Sequence, residues 1–328
     1  MKRAFATLLL IAAGFGIVSA SQAQQMLGTE PITATIMPSY PRPYETVTII
    51  PESTYIDLSA SKVTVLVNGS VVSEGSGAEP AYVTVGGPGT VTTITIRATS
   101  GAQSFTKSLT IRPADVALVV EPYSTVHPFY EGGALTSSEG AVRLVAIPDL
   151  RTSSGAPIPA ASLVYTWRNG DQILQGASGI GKSVLSASAP VRHRDARISV
   201  TVTSQDRSVV AEAATVVAPS DPFVRVYRND PLLGPLYGTA LPANTALVGT
   251  EETFRAVPYF FPDRPLLTWS VGDDASDNDQ DITLRSSGSR GGTALVQVLA
   301  EVPDTGQSAS QRLTITFKGE SSLGFFGL

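Results

Sequence analysis

Short runs in which apolar and polar residues alternate, rich in valine, threonine and isoleucine, recur from residue 33 to residue 317. Thr46–Ile50, Lys62–Val67, Val91–Ala98, Val142–Ile147, Ile198–Thr203, Leu266–Val271 and Ala294–Val302 are examples. A period of two sends successive side chains to opposite faces, the pattern of strands half-buried in a sheet. Glycine and proline separate the runs, and no stretch shows the 3.6-residue period of a long helix. The pattern predicts an all-β chain of many short antiparallel strands. The chain also has no cysteine. Each folded unit must therefore rest on its own apolar core, without disulfides.

The strands repeat as groups. Lys62-Val-Thr-Val-Leu-Val-Asn68-Gly69 lines up with Leu163-Val-Tyr-Thr-Trp-Arg-Asn169-Gly170, and Leu266-Leu-Thr-Trp269-Ser-Val takes the same place in the last third. Each is followed by a polar stretch, a long strand and a final strand. The repeat predicts units over 24–113, 114–219 and 220–318, which leave an N-terminal segment over 1–23, read below as a signal, and an apolar tail over 319–328. Units of about 90 to 105 residues suit a two-sheet sandwich, so the fold class is tandem immunoglobulin-like antiparallel β-sandwiches. Trp167 and Trp269, the only tryptophans, are expected between the sheets of their units, with Leu66 as the counterpart in the first. Asn-Gly at 68–69 and at 169–170 reads as a two-residue hairpin turn.

Tyr165-x-Trp167, Asn169-Gly170, then Ser178 and Gly181-Lys182-Ser183, then a strand ending at Pro190, resemble polycystic-kidney-disease-type and related immunoglobulin-like repeats of bacterial exported proteins. The resemblance covers the second unit well, the third in part and the first by pattern. It implies a scaffold or adhesion role and no reaction.

Lys2-Arg3, the apolar run Leu8–Val18 and the small residues of Ser21-Gln-Ala23 have the form of a cleavable secretion signal. That run is shorter than the roughly 20 residues of a membrane span, and later apolar runs are strand-length. No integral membrane span is expected after cleavage. Export without cysteines favours a bacterial periplasm or cell surface. The net charge of −5 becomes −7 when Lys2 and Arg3 leave with the signal. Such acidity argues against nucleic acid as a partner.

Several motifs imitate chemistry. Gly176-Ala-Ser-Gly-Ile-Gly181-Lys182-Ser183 matches the phosphate-loop pattern. That loop needs a following helix whose N–H groups cradle phosphate, but here Val184–Pro190 reads as extended. A glycine-rich hairpin loop is the favoured reading, with no nucleotide and no cofactor. His127 and His193 lack the spacing of a zinc pair, and neither belongs to a catalytic signature. Asp277, Asp279 and Asp281 have the opening spacing of a calcium loop, yet Ile282 and Gly288 stand where its glycine and glutamate belong. Calcium is one reading of this loop; a solvated acidic turn is preferred.

Two apolar features are candidates for partner binding. One is the proline-bearing loop Asp230-Pro-Leu232-Leu233-Gly-Pro-Leu236-Tyr237, with a weaker counterpart in Val126–Tyr130; the other is the tail carrying Phe325 and Phe326. For the loop, leucines folded back onto their own unit are the preferred reading, with partner binding the alternative. The chain is read as a non-catalytic structural or binding protein whose partners are other envelope or surface proteins. A carbohydrate-binding accessory module with a strip of exposed aromatics and a sandwich hydrolase with paired carboxylates are the alternatives.

Overall fold

The computed structural model describes residues 30–77, 79–276, 279–286 and 291–318. The expected signal segment and the tail with Phe325 and Phe326 lie outside these residues. The first unit contains β1 (Thr33–Met37), β2 (Thr46–Glu52), β3 (Lys62–Val67), β4 (Ser70–Ser76), β5 (Ala81–Thr84), β6 (Thr92–Ser100) and β7 (Gln103–Ile111). The second contains β8 (Asp115–Pro122), β9 (Ala141–Asp149), β10 (Val164–Asn169), β11 (Gln172–Ile173), β12 (Gly179–Ile180), β13 (Val184–Ser188), β14 (Ala196–Thr203) and β15 (Val210–Val217). The third contains β16 (Phe223–Asp230), β17 (Gly234–Pro235), β18 (Asn244–Ala246), β19 (Glu251–Tyr259), β20 (Leu266–Val271), β21 (Asp274–Ser276), β22 (Asp281–Arg285), β23 (Gly292–Val302) and β24 (Gln307–Phe317). Helical geometry among the described residues is confined to single 3₁₀ turns.

Sheet order is shared by all three units. One sheet runs β1-β2-β5, β8-β9-β13 or β16-β19-β22; the facing sheet runs β4-β3-β6-β7, β11-β10-β14-β15 or β21-β20-β23-β24. Pairing is antiparallel except for β18, which lies parallel to β24. Consecutive strands that switch sheets in this order form the immunoglobulin-like Greek-key sandwich. Between each pair of sheets lies a separate apolar core. Alternation supplies it: β6 buries Thr92, Ile94, Ile96 and Ala98 and turns the intervening residues outward.

The two tryptophans have matched environments. Trp167 is 0% and Trp269 1% exposed. Trp167 Nε1 donates to Lys182 O at 2.9 Å, and Trp269 Nε1 donates to Asp279 O at 3.0 Å. In both units the indole fills the core while its single polar atom is satisfied by the next loop's backbone.

Leu66 is not their counterpart. It is only half-buried and takes no part in the first core, whereas Val65 is 2% exposed and belongs to it. The turns show why. Asn68 and Gly69 form the β3–β4 loop, both at positive φ (48° and 86°), with Val67 opposite Ser70. In the second unit Asn169 is still paired, opposite Gln172, and the loop is Gly170-Asp171. Matching the Asn-Gly letters therefore misplaces the strands by one residue, and one residue reverses the face. Counted from the turn, Val65 stands where Trp167 stands, and Asn68 N and Gly170 N make equivalent bonds to Thr93 O and Arg197 O.

Candidate functional site

The first two units touch through polar contacts: Arg42 Nε lies 3.2 Å from Asp115 Oδ1, and an Arg112 N–H donates to Ser208 Oγ at 2.9 Å. The second and third are joined differently. The loop after β8 runs against the end of β19, where Phe260 N donates to Thr125 O at 2.7 Å and Thr125 N to Phe261 O at 2.9 Å. Thr125 Oγ1 accepts a further bond from Phe261 N at 3.0 Å. These bonds hold Phe260 at φ 60°, a left-handed conformation that bulky residues seldom adopt. A second seam adds Ser220 N to Thr136 O and Gln307 Nε2 to Ser138 O, both at 2.7 Å.

Within this joint an aromatic cluster forms a fourth apolar core, made by Tyr227, Val257, Tyr259 and Phe260 with Val126, Tyr130, Phe223 and Tyr237 packed against it. The outward faces of β16 and β19 supply it, so here alternation gives those strands two buried faces. Phe223 stacks on Tyr259 with centroids 4.8 Å apart, and His127 stacks on Tyr237 at 4.3 Å with the planes 4° apart. Tyr130 meets Tyr259 edge-on at 5.5 Å. Each such pair contributes about 0.5–1.5 kcal/mol beyond its buried area. The Tyr227 and Tyr259 hydroxyls bond each other at 2.7 Å. Burial, and then that bond, push the Tyr259 phenol far above its ordinary pKa.

A cleft of about 680 Å³ opens over this floor, lined by residues 127 and 129–132 of the second unit and by side chains of the third. Phe129 at its mouth is 77% exposed. His127 Nδ1 accepts a bond from Phe129 N at 3.2 Å, so the neutral ring carries its proton on Nε2. Burial holds the His127 pKa below 6.5. Arg225 lies over the Phe223 ring, its Cζ 4.7 Å from the centroid. Behind the cleft Arg255 binds both carboxylate oxygens of Asp281, at 2.7 and 2.6 Å. That pair, assisted by the Tyr237 phenol, raises the arginine pKa further.

The sequence candidates fall on both sides of this site. Tyr237 lies in the cleft wall, and Leu236 borders a neighbouring groove of about 680 Å³ along β18. Leu232 and Leu233 do not fold back: they are 93% and 78% exposed. Asp230 Oδ1 fixes their turn by accepting from Leu232 N at 2.8 Å and Leu233 N at 2.9 Å. Of the acidic loop, Asp277 lies outside the described residues, Asp279 Oδ1 accepts from Gln280 N, and Asp281 is committed to Arg255. Among the described residues no group of three His, Asp or Glu side chains could hold a metal. The phosphate-loop look-alike caps Trp167: Lys182 O accepts from the indole N–H, Lys182 Nζ donates to Gly176 O at 2.6 Å, and strand β13 follows. Among the described cleft residues Glu131 is the sole carboxylate, so this cleft does not hold the converging carboxylate pair of a glycoside hydrolase.

No family model matches the chain, and no curated protein matches it. Solved structures align with it at low scores. The three N-terminal domains of the bacteriophage RB49 outer capsid protein Hoc are 11% identical, covering 88% of this chain and all of theirs at a TM-score of 0.26. The four N-terminal immunoglobulin domains of Dscam1 isoform 8.4 are 11% identical, covering 87% of this chain and 72% of theirs at 0.24. Fibronectin(III)-like modules of Clostridium thermocellum CbhA are 12% identical, covering 62% of this chain and 94% of theirs at 0.24. At these scores they add nothing to the topology above. Among the described residues no helix is long and apolar enough to cross a membrane.

Proposed function

We propose that this chain is an exported, non-catalytic binding or spacer component of a bacterial cell envelope or surface, which presents the third unit's loops to another envelope protein. The carrying observation is the Asp230-fastened turn that holds Leu232 and Leu233 in solvent. Unsupported exposed leucines cost solubility, and a turn pre-ordered to display them reduces the entropy lost on docking. Separate cores in each sandwich and bonded joints between them suit a spacer.

Photo-cross-linking in the source bacterium tests this. With a benzophenone amino acid at Leu232, a discrete adduct to one envelope protein is expected, absent when the probe sits at exposed Glu74 in β4. Identical adduct patterns from the two positions, or no adduct from either, would overturn the proposal.

A further inference from the structure

We propose that the cleft between the second and third units is a binding site for a neutral oligosaccharide. This rests on the binding reading above and names a ligand class for a different surface from the leucine turn.

Three observations carry the inference. First, the cleft is larger than joint packing requires: about 680 Å³ lies within the 300–1,000 Å³ range of ligand pockets. Second, its mouth offers aromatic surface that the joint does not consume. Phe129 is mostly solvent-exposed and lies 6.4 Å from Tyr237, the ring backed by His127. Such surfaces receive the C–H face of a pyranose. Third, charged groups of both signs line the cleft outside any ion pair among the described residues, Arg225 donating one N–H to Val224 O at 3.2 Å while it lies over Phe223. Neither Arg225 nor Glu131 enters any ion pair among the described residues. Arg225 offers forked donors and Glu131 paired acceptors, and vicinal sugar hydroxyls both donate and accept.

The same groups disfavour other occupants. A quaternary ammonium ligand suits an aromatic cage without a cation, but Arg225 stands in this one. An anion would face Glu131. A proline-rich peptide brings carbonyl acceptors but few N–H donors, so it would pair with Arg225 and leave the Glu131 carboxylate without a partner. A neutral sugar satisfies both charges without burying either unpaired.

The test uses the mature full chain in calorimetric titrations with cello-, chito-, malto-, manno- and laminari-tetraose and a deca-proline peptide. At least one tetrasaccharide is expected to bind with a submillimolar Kd. Phe129→Ala, and separately Arg225→Gln, should weaken it about tenfold while the melting temperature stays within about 2 °C. No saccharide binding, binding indifferent to both substitutions, or peptide binding sensitive to them in place of sugar would each overturn the proposal. Such failure would leave the Leu232 cross-link intact, so the two proposals fail separately.

Discussion

Truncating Val65 and Leu66 separately sets the strand register against the sequence repeat. Val65 projects between the sheets of the first unit, so Val65→Ala removes two methyl groups from a closed core. At about 0.8 kcal/mol per buried carbon the transfer loss is about 1.6 kcal/mol, and a residual cavity brings it to about 2–3 kcal/mol. For a domain under about 100 residues, each kcal/mol lowers Tm by about 4–8 °C, so a fall of about 10–20 °C is expected. Leu66→Ala removes more carbon, but from a half-buried side chain outside the core, and should cost less than about 1 kcal/mol. Differential scanning calorimetry of the full chain resolves the effect. Tryptophan fluorescence is the internal control, because both indoles lie in the other two cores and their transitions should not move. If Leu66→Ala proved the more damaging substitution, the register argument would be refuted.

Other expectations follow from single contacts. Trp167→Phe strands Lys182 O and shrinks the second core, so that unit should lose about 2–4 kcal/mol by denaturant unfolding, with Trp269→Phe acting likewise on the third. Asp206 accepts from Ser204 Oγ at 2.6 Å and Ser208 N at 3.1 Å, which lowers its pKa from 3.8 to about 2. A depressed carboxylate stabilises the fold above its unfolded pKa, and the effect is lost as pH falls from about 4 toward 2. Asp206→Asn should therefore flatten the acid melting of the second unit in that window. Replacing Leu232 and Leu233 together by serine should change stability by less than about 0.5 kcal/mol while abolishing the envelope cross-link introduced at Leu236.

Much of the fold is legible in the sequence because alternation is a local signal. β3, β6, β10, β14, β20 and β23 fall within a few residues of where the pattern puts them. β4, β5 and β22 are missed, because these edge strands turn residues such as Ser70, Glu74, Thr84, Thr283 and Arg285 outward and read as polar connections. Leu66 is misassigned since identical Asn-Gly letters occupy different turn positions. Calcium stays one reading of the acidic loop in the sequence because Arg255, the partner of Asp281, lies on another strand. The cleft escapes for a stronger reason. His127, Phe129 and Tyr130 come from one sandwich, Tyr237 and Tyr259 from another, and no spacing rule joins residues brought together by packing two domains. The one visible trace is the likeness between the aromatic loop Val126–Tyr130 and the loop holding Leu236 and Tyr237.

The account depends on the second and third sandwiches meeting in one ordered arrangement, since the cleft exists only while they do. The absence of native cysteine lets two introduced thiols at exposed Arg197 and Thr293 carry spin labels without side reactions. Double electron–electron resonance between them should give a single distance peak, no broader than that from a pair within one sandwich. A broad or multi-peaked distribution would contradict it.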